Sequence, residues 1–187
     1  MGKVILQKVR CSYVYTAYPR KNKEDGTFGG YGIQPIIPKN DPQVARLKKE
    51  IKKVLIEAVG ESKASKSGMF KLPLRDGDTE RDGEEYEGMY FANANSAKKK
   101  PGMLNRNKEQ PDQDDIDEYC YSGAYFNVSV NVYFFKAKDG GKPGIALGLN
   151  NVMFIKKGDR LDGTVSAESD FADFEPEEDD DFDDDDF

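Results

Sequence analysis

Between residues 124 and 135 the chain reads AYFNVSVNVYFF, a period-two alternation that belongs to an extended strand. In a strand, successive side chains point to opposite faces of the sheet. Even positions then give Phe126, Val128, Val130, Val132 and Phe134, an unbroken apolar face. Odd positions give Tyr125, Asn127, Ser129, Asn131, Tyr133 and Phe135, a polar face edged by aromatics and free of acids. The segment commits the chain to a sheet with one buried face and one presented face.

The rest of the pattern extends that sheet. GIALGLNNVMFIKK (144–157) follows across KDGGK, where Asp139-Gly140-Gly141 is good hairpin chemistry. Three more extended pieces are expected, at Val4–Tyr18, Phe28–Pro38 and Tyr86–Asn95. In the second of them the glycines predict a bulge or a close backbone approach, and Pro35 predicts a position near a sheet edge. One helix is expected. Asp41 caps it, Pro42 suits its first turn, Gly60 stops it, and Val44, Leu47, Ile51, Val54, Leu55 and Ala58 recur at helical spacing. Residues 61–85 read as loop with Leu72–Leu74 as a short anchor, and residues 98–108 lie in a second long polar connection. No internal repeat is present. Five strands, one helix and long loops predict a mainly β fold, an OB-like five-stranded Greek-key barrel. A sandwich with the same strand count fits the pattern as well.

Charge is distributed unevenly. The 187 residues carry a formal net charge of −7, but Glu168 to Phe187 hold 13 acids and no basic residue. The 28 Lys and Arg therefore face the remaining 22 acids within residues 1–167, a net of +6. A basic domain at 1–167 and an acidic tail at 168–187 are expected, the tail too poor in apolar residues to offset the entropy of ordering. No segment approaches the roughly 18–20 apolar residues of a membrane span. The opening MGKVILQKVRC has too short an apolar run for a signal peptide.

Single-stranded nucleic acid is bound by aromatics that stack on bases, with amides, hydroxyls and cations along the backbone track. Tyr125, Asn127, Asn131, Tyr133 and Phe135 offer the first part of that mixture, with Tyr31 from the second strand. An ordinary solvated sheet face has a similar composition, so cations decide between the two. Lys98, Lys99 and Lys100 precede a Pro-Gly turn, Arg106 follows it, and alternation puts Lys8 and Arg10 on the face of the first strand that carries Ser12. In a net-positive body these make a phosphate-tracking groove the better reading. Lys48, Lys49, Lys52 and Lys53 read as the solvated face of the helix.

Catalytic chemistry finds little support. There is no histidine, so the commonest acid-base agent is missing and Cys11 and Cys120 cannot complete a Cys/His zinc site. The two cysteines read as free thiols of a reducing cytoplasm. DGDTERDGEE (76–85) clusters carboxylates, yet against the calcium-loop spacing from Asp78 the closing position holds Met89. GGKPG around Lys142 lacks the length and the Ser/Thr of a phosphate-binding loop. No metal, cofactor or catalytic residue is expected.

YGIQPIIPKNDP followed by an amphipathic helix, LPLRDGD, YFANANSAKKKPG, YSGAYFNVSVNVYFF and GIALGLNNVMFIKKGDRL occur in an order that resembles the single-stranded DNA-binding proteins of tailed phages, over about residues 3–161. The acidic tail closed by an aromatic residue resembles those of phage and bacterial single-stranded DNA-binding proteins. Here Asp186 precedes Phe187, where the bacterial tail has a Pro-Phe pair. The resemblance implies an OB-fold that coats exposed strands during phage replication, recombination and repair in the cytoplasm of the host bacterium. It also implies a tail, with Asp183, Asp184, Asp185, Asp186 and Phe187 at its end, that competes with DNA and recruits a polymerase or helicase. A homodimer is an open option for assembly. Two other classes stay open at this point: a metal-dependent nuclease or junction enzyme using the acids at 76–85, and an acidic-tailed adaptor or chaperone.

Overall fold

The computed structural model describes residues 2–66, 68–137 and 140–163. The expected boundary at 167/168, the tail with Asp183–Phe187, and Lys138 and Asp139 of the hairpin turn lie outside the described residues. In chain order the elements are β1 (Gly2–Tyr15), β2 (Tyr31–Pro38), α1 (Pro42–Val59), α2 (Glu61–Ala64), β3 (Leu74–Asp76), α3 (Gly77–Glu80), a 3-10 turn (Glu84–Tyr86), β4 (Met89–Ala92), β5 (Ala94–Ser96), β6 (Gly102–Leu104), α4 (Gln113–Tyr119), β7 (Tyr125–Phe135) and β8 (Gly144–Lys156).

The alternating segment is β7, and it pairs antiparallel with β8 from Tyr125↔Lys156 to Phe135↔Gly144. Phe126, Val128, Val130 and Val132 are buried in the main core as the alternation predicts, and Phe134 is half-buried against the Phe70 ring. β1 pairs with β7 along its first part and with β2 along its last part. β2 pairs with β4 and β5, and β5 runs parallel to β8 through Ala94↔Leu147. The pairings therefore pass through β1, β7, β8, β5 and β2 and return to β1. β3 extends the sheet from β4, and β6 adds a short parallel pairing to β8.

Two irregularities let β1 serve two neighbours. The register jumps between Leu6↔Val128 and Val9↔Phe126, with Lys8 at φ 53, and again between Ser12 and Tyr15, with Tyr13 at φ 49. Such bulges bend a strand and increase its twist. A non-glycine residue in the left-handed region costs roughly 1–2 kcal/mol. Both sites recover a backbone hydrogen bond: Lys8 N–H donates to Asn127 Oδ1 (2.8 Å) and Tyr13 N–H to Ser122 Oγ (2.9 Å).

The helix forms where its signals lie. Asp41 accepts the Gln43 N–H at 2.8 Å, Pro42 opens the first turn, and Gly60 ends it at φ 81. Val44, Leu47, Ile51, Val54 and Leu55 are buried against the strands, but Ala58, expected on this stripe, is exposed and Val59 packs in its place. None of the described helices is long and apolar enough to cross a membrane.

Three expectations need correction. Among the described residues the five strands expected are eight, because Asn93 divides the third into β4 and β5, and the connections at 61–85 and 98–122 contain β3, β6 and short helices. Pro35 is fully buried between β1 and β4/β5 rather than at an edge. It is tolerated because β2 pairs with β5 up to Ile33 and with β4 from Ile36, so Pro35 falls in the gap between the two ladders, beside Gln34, which faces Asn93. Finally, Lys8, Arg10 and Ser12 do not form one exposed face. The Lys8 bulge turns both Leu6 and Val9 inward, and Ser12 is covered.

Candidate nucleic-acid interface

A second, smaller apolar cluster of Ile36, Tyr86 and Phe91 lies apart from the main core, with Met89 and Leu161 packed against it. It forms because residues 74–88 fold over the sheet, with β3 pairing to β4 and Asp76 capping α3 through the Asp78 N–H (3.0 Å). Next to this cover the strands leave an open cleft of about 340 Å³.

Amides form its floor. Gln34 gathers the layer beneath: Ser12 Oγ and Tyr86 OH donate to its Oε1 at 2.9 and 2.7 Å, and its Nε2 donates to Asn93 Oδ1 at 2.7 Å. Gln34 and Asn93 thereby fill the gap where the β2 ladder lapses. Burial pushes the Tyr86 phenol above its usual range, against the opposing pull of Ser12 and Arg81, so the hydroxyl keeps its proton and remains a donor. In the next layer Arg20 Nη2 donates to Asn95 Oδ1 at 3.2 Å. Gly32 opens the space between them, since a Cβ there would stand 2.7 Å from Asn95 Oδ1.

Tyrosines and cations form the walls. Tyr13, set by its bulge, and Tyr15 line the cleft and are 52% and 37% exposed. The Arg81 guanidinium lies 4.9 Å from the Phe91 ring centre, 5.5 Å from Tyr86 and 5.9 Å from Tyr13. Its Nε is buried without a hydrogen-bond partner, and among the described residues no carboxylate pairs with it. A cation surrounded by rings, with no carboxylate on it among the described residues, can receive an added anion or stack on a planar group.

Three nearby carboxylates, those of Asp76, Asp78 and Glu80, are paired with other cations. Lys39 Nζ lies 2.5 Å from Asp76 and 2.7 Å from Asp78, and the Gly88 N–H donates to Asp78 Oδ1 at 2.6 Å. Lys39, then Gly88, hold the Asp78 carboxyl below its usual range, and the two aspartates in turn raise Lys39. Arg75 Nε donates to Glu80 at 2.7 Å. Among the described residues no group of three His, Cys, Asp or Glu is arranged to hold a metal.

Comparison with known proteins gives the family and the fold of the chain. A family described as the single-stranded DNA-binding protein of Enterobacter phage Enc34 matches residues 2–183. The chain belongs to this family. The single-stranded DNA-binding protein of bacteriophage Enc34, solved in complex with single-stranded DNA, superposes with a TM-score of 0.71 at 24% identity, over 86% of this chain and 89% of that one. The same phage protein in another structure gives 0.70 at 22% identity, over 91% and 90%. Gp2.5, a single-stranded DNA-binding protein encoded by bacteriophage T7, gives 0.59 at 17% identity, over 89% and 98%. At these identities the likeness is one of fold. A search of curated proteins finds no match.

Within this family member, the residues expected from sequence fall into two groups. Tyr31 pairs with Ser96, and the loop that follows carries Lys98, Lys99 and Lys100, with Ser96 Oγ donating to the Lys99 carbonyl at 2.6 Å. Arg20 exchanges backbone hydrogen bonds with Gly29 and Gly30 beside them. The exposed Phe28 ring meets Tyr31 edge-on at 5.6 Å. These residues stand at the strand ends that bound the cleft.

The other group is on β7, which contributes nothing to the cleft. Tyr125, Asn127, Asn131, Tyr133 and Phe135 are all partly or well exposed, as the alternation predicts. Lys156 lies over the Tyr125 ring at 4.5 Å, Asn127 is bonded to Lys8, and Asn131 Nδ2 donates to Asn150 Oδ1 at 3.0 Å. Arg10 is half-buried with Nη2 on the Asp159 carbonyl at 2.7 Å, and Arg106 is in the turn closed by Asn105 and Glu109. Sequence reasoning missed Tyr13, Tyr15, Arg20, Gln34, Arg81, Asn93 and Asn95. Period-two spacing in YVY and NAN carries a signal for four of them. Arg81, embedded in acids, carries none.

Proposed function

We propose that this protein is a non-catalytic single-stranded DNA-binding protein with little sequence preference. It coats exposed strands during phage DNA replication, recombination and repair in the cytoplasm of the host bacterium. The scaffold is an OB-type barrel, supported by the ring of pairings with β5 parallel to β8. The observation that carries the reading is Arg81, a cation with no carboxylate partner among the described residues, held against three rings in an open cleft with exposed tyrosines. Tyr13 and Tyr15 stack on bases, the amides of the floor meet base edges, and Arg20, Arg81 and Lys98–Lys100 track phosphates. Tyr125, Asn127, Asn131, Tyr133 and Phe135, with Lys8 and Arg10, extend the track along β7. Membership of the Enc34 family and the DNA complex of that phage's protein support the same reading.

The acidic tail competes with DNA for the basic surface. Asp183–Asp186 supply charge, and Phe187 anchors a polymerase or helicase. Titration with labelled single-stranded DNA, RNA and duplex, in EDTA and in magnesium, tests the reading. Tight retention of single-stranded DNA in both buffers, with the strand left intact, is expected. Cleavage in magnesium, or equal affinity for duplex, would overturn it. Removal of Glu168–Phe187 leaves the +6 body and raises DNA affinity, most at low salt. Deletion of Phe187 alone leaves DNA affinity unchanged and abolishes partner binding.

A further inference from the structure

α1 carries a groove that the core does not fill. Its walls are Ile51, Leu55 and Ile56 of α1, Ala64 of α2, Leu72 before β3 and Leu74 at its start, enclosing about 480 Å³. Leu72 is 52% exposed over it. Covering a leucine of this kind is worth roughly 1.5–3 kcal/mol. The rim is basic. The Lys48 ammonium is held over the Tyr90 ring at 4.3 Å and donates to its hydroxyl at 3.1 Å, and among the described residues no acid pairs with it. Lys52 stands beside it, and among the described residues no acid pairs with it. An occupant that suits this groove is apolar at its centre and acidic on both sides.

The chain contains such a segment. In ESDFADFE (168–175), Phe171 and Phe174 are flanked by Glu168, Asp170, Asp173 and Glu175. It is also within reach. Leu161 and Met89 both pack against the small cluster of Ile36, Tyr86 and Phe91, and Tyr90, next to Met89 in β4, is the residue that Lys48 holds. The eight residues that follow Gly163, up to Phe171, span up to about 26–29 Å when extended.

We propose that the segment 168–175 docks in this groove of its own chain. Phe171 and Phe174 lie between α1 and Leu72, and the flanking carboxylates face Lys48 and Lys52. Docking tethers the ten acids from Glu175 to Asp186 to the body, which raises their effective concentration at its basic surface. The inference concerns the tail alone and does not depend on DNA being the ligand of the cleft.

The test places a photoreactive benzoylphenylalanine at position 174 of the full-length protein and maps the crosslinks made on irradiation at high dilution. Crosslinks to residues 48–56 and 64–74 are expected. The double substitution Lys52→Glu and Leu72→Glu should reduce their yield by about tenfold, the equivalent of 1.4 kcal/mol. Single-stranded DNA affinity of that variant should not fall. If the double variant does not fold, Lys52→Glu alone, a change on an exposed helix face, serves in its place. Crosslinks to the cleft at residues 13–20 or 81–95 would overturn the proposal. So would crosslinks to a second copy that vanish on dilution, or an undiminished yield in the folded variant.

Discussion

Replacement of Arg81 tests the cleft most directly, because its charge, stacking and fold contributions separate. In Arg81→Ala the contacts with Phe91, Tyr86 and Tyr13 are lost. Cation–π contacts at partly open sites contribute about 0.5–1 kcal/mol each and overlap here, so the stability loss should be about 1–2 kcal/mol. The buried Nε makes no hydrogen bond that would be lost with it. The protein should therefore remain folded, as circular dichroism and thermal melting would report. Loss of the DNA contact should cost about 1–3 kcal/mol, roughly 5- to 150-fold in affinity. If Arg81 neutralises one phosphate, the log–log salt slope should also fall by about 0.7. Arg81→Lys keeps the charge but not the plane, so it should retain the slope while losing affinity. Fluorescence anisotropy with a labelled oligonucleotide across a salt series reads both quantities. A folded Arg81→Ala protein with unchanged affinity and slope would refute the assignment, leaving Arg81 as a brace for the cover at 74–88.

Three further outcomes follow from the same geometry. Gly32→Val puts a side chain against Asn95, disturbs its hydrogen bond to Arg20 and narrows the cleft; DNA affinity should fall by about tenfold (1.4 kcal/mol) in an anisotropy titration, with unchanged affinity counting against the cleft. Tyr86→Phe removes the 2.7 Å bond to Gln34, which keeps its bond from Ser12, so urea denaturation should show a loss of about 0.5–1.5 kcal/mol. Asp78 has a folded pKa below the ordinary value of 3.8, so its stabilisation is present above that value and is lost as pH falls through the folded pKa. Asp78→Asn should therefore lower the melting temperature near neutral pH and flatten its decline in acid; parallel curves would show that the Lys39 pairing contributes nothing.

Local physics made part of this protein legible in its sequence. The β7 alternation needs only the two-residue repeat of a strand, and burial of Phe126, Val128, Val130 and Val132 follows from it. Asp41, Pro42 and Gly60 bound α1 through contacts with their own neighbours, and the unequal charge of body and tail is a property of composition. The strand ring and the cleft are not local. Lys8 and Tyr13 adopt left-handed backbone because β1 must meet both β7 and β2, a demand that neither residue announces. Pro35 is tolerated inside the sheet because the β4 and β5 ladders break beside it, and Ser12 is covered because Tyr86, 74 positions later, folds over it. The cleft draws Tyr13, Arg20, Gly32, Arg81 and Asn95 from separate stretches of chain. Residue type marked the chemistry of aromatic, amide and cation that the sequence holds. Which of those groups meet was decided by closure of the strands, since the hydrogen bonds and packing that bring them together join residues with no shared local signal.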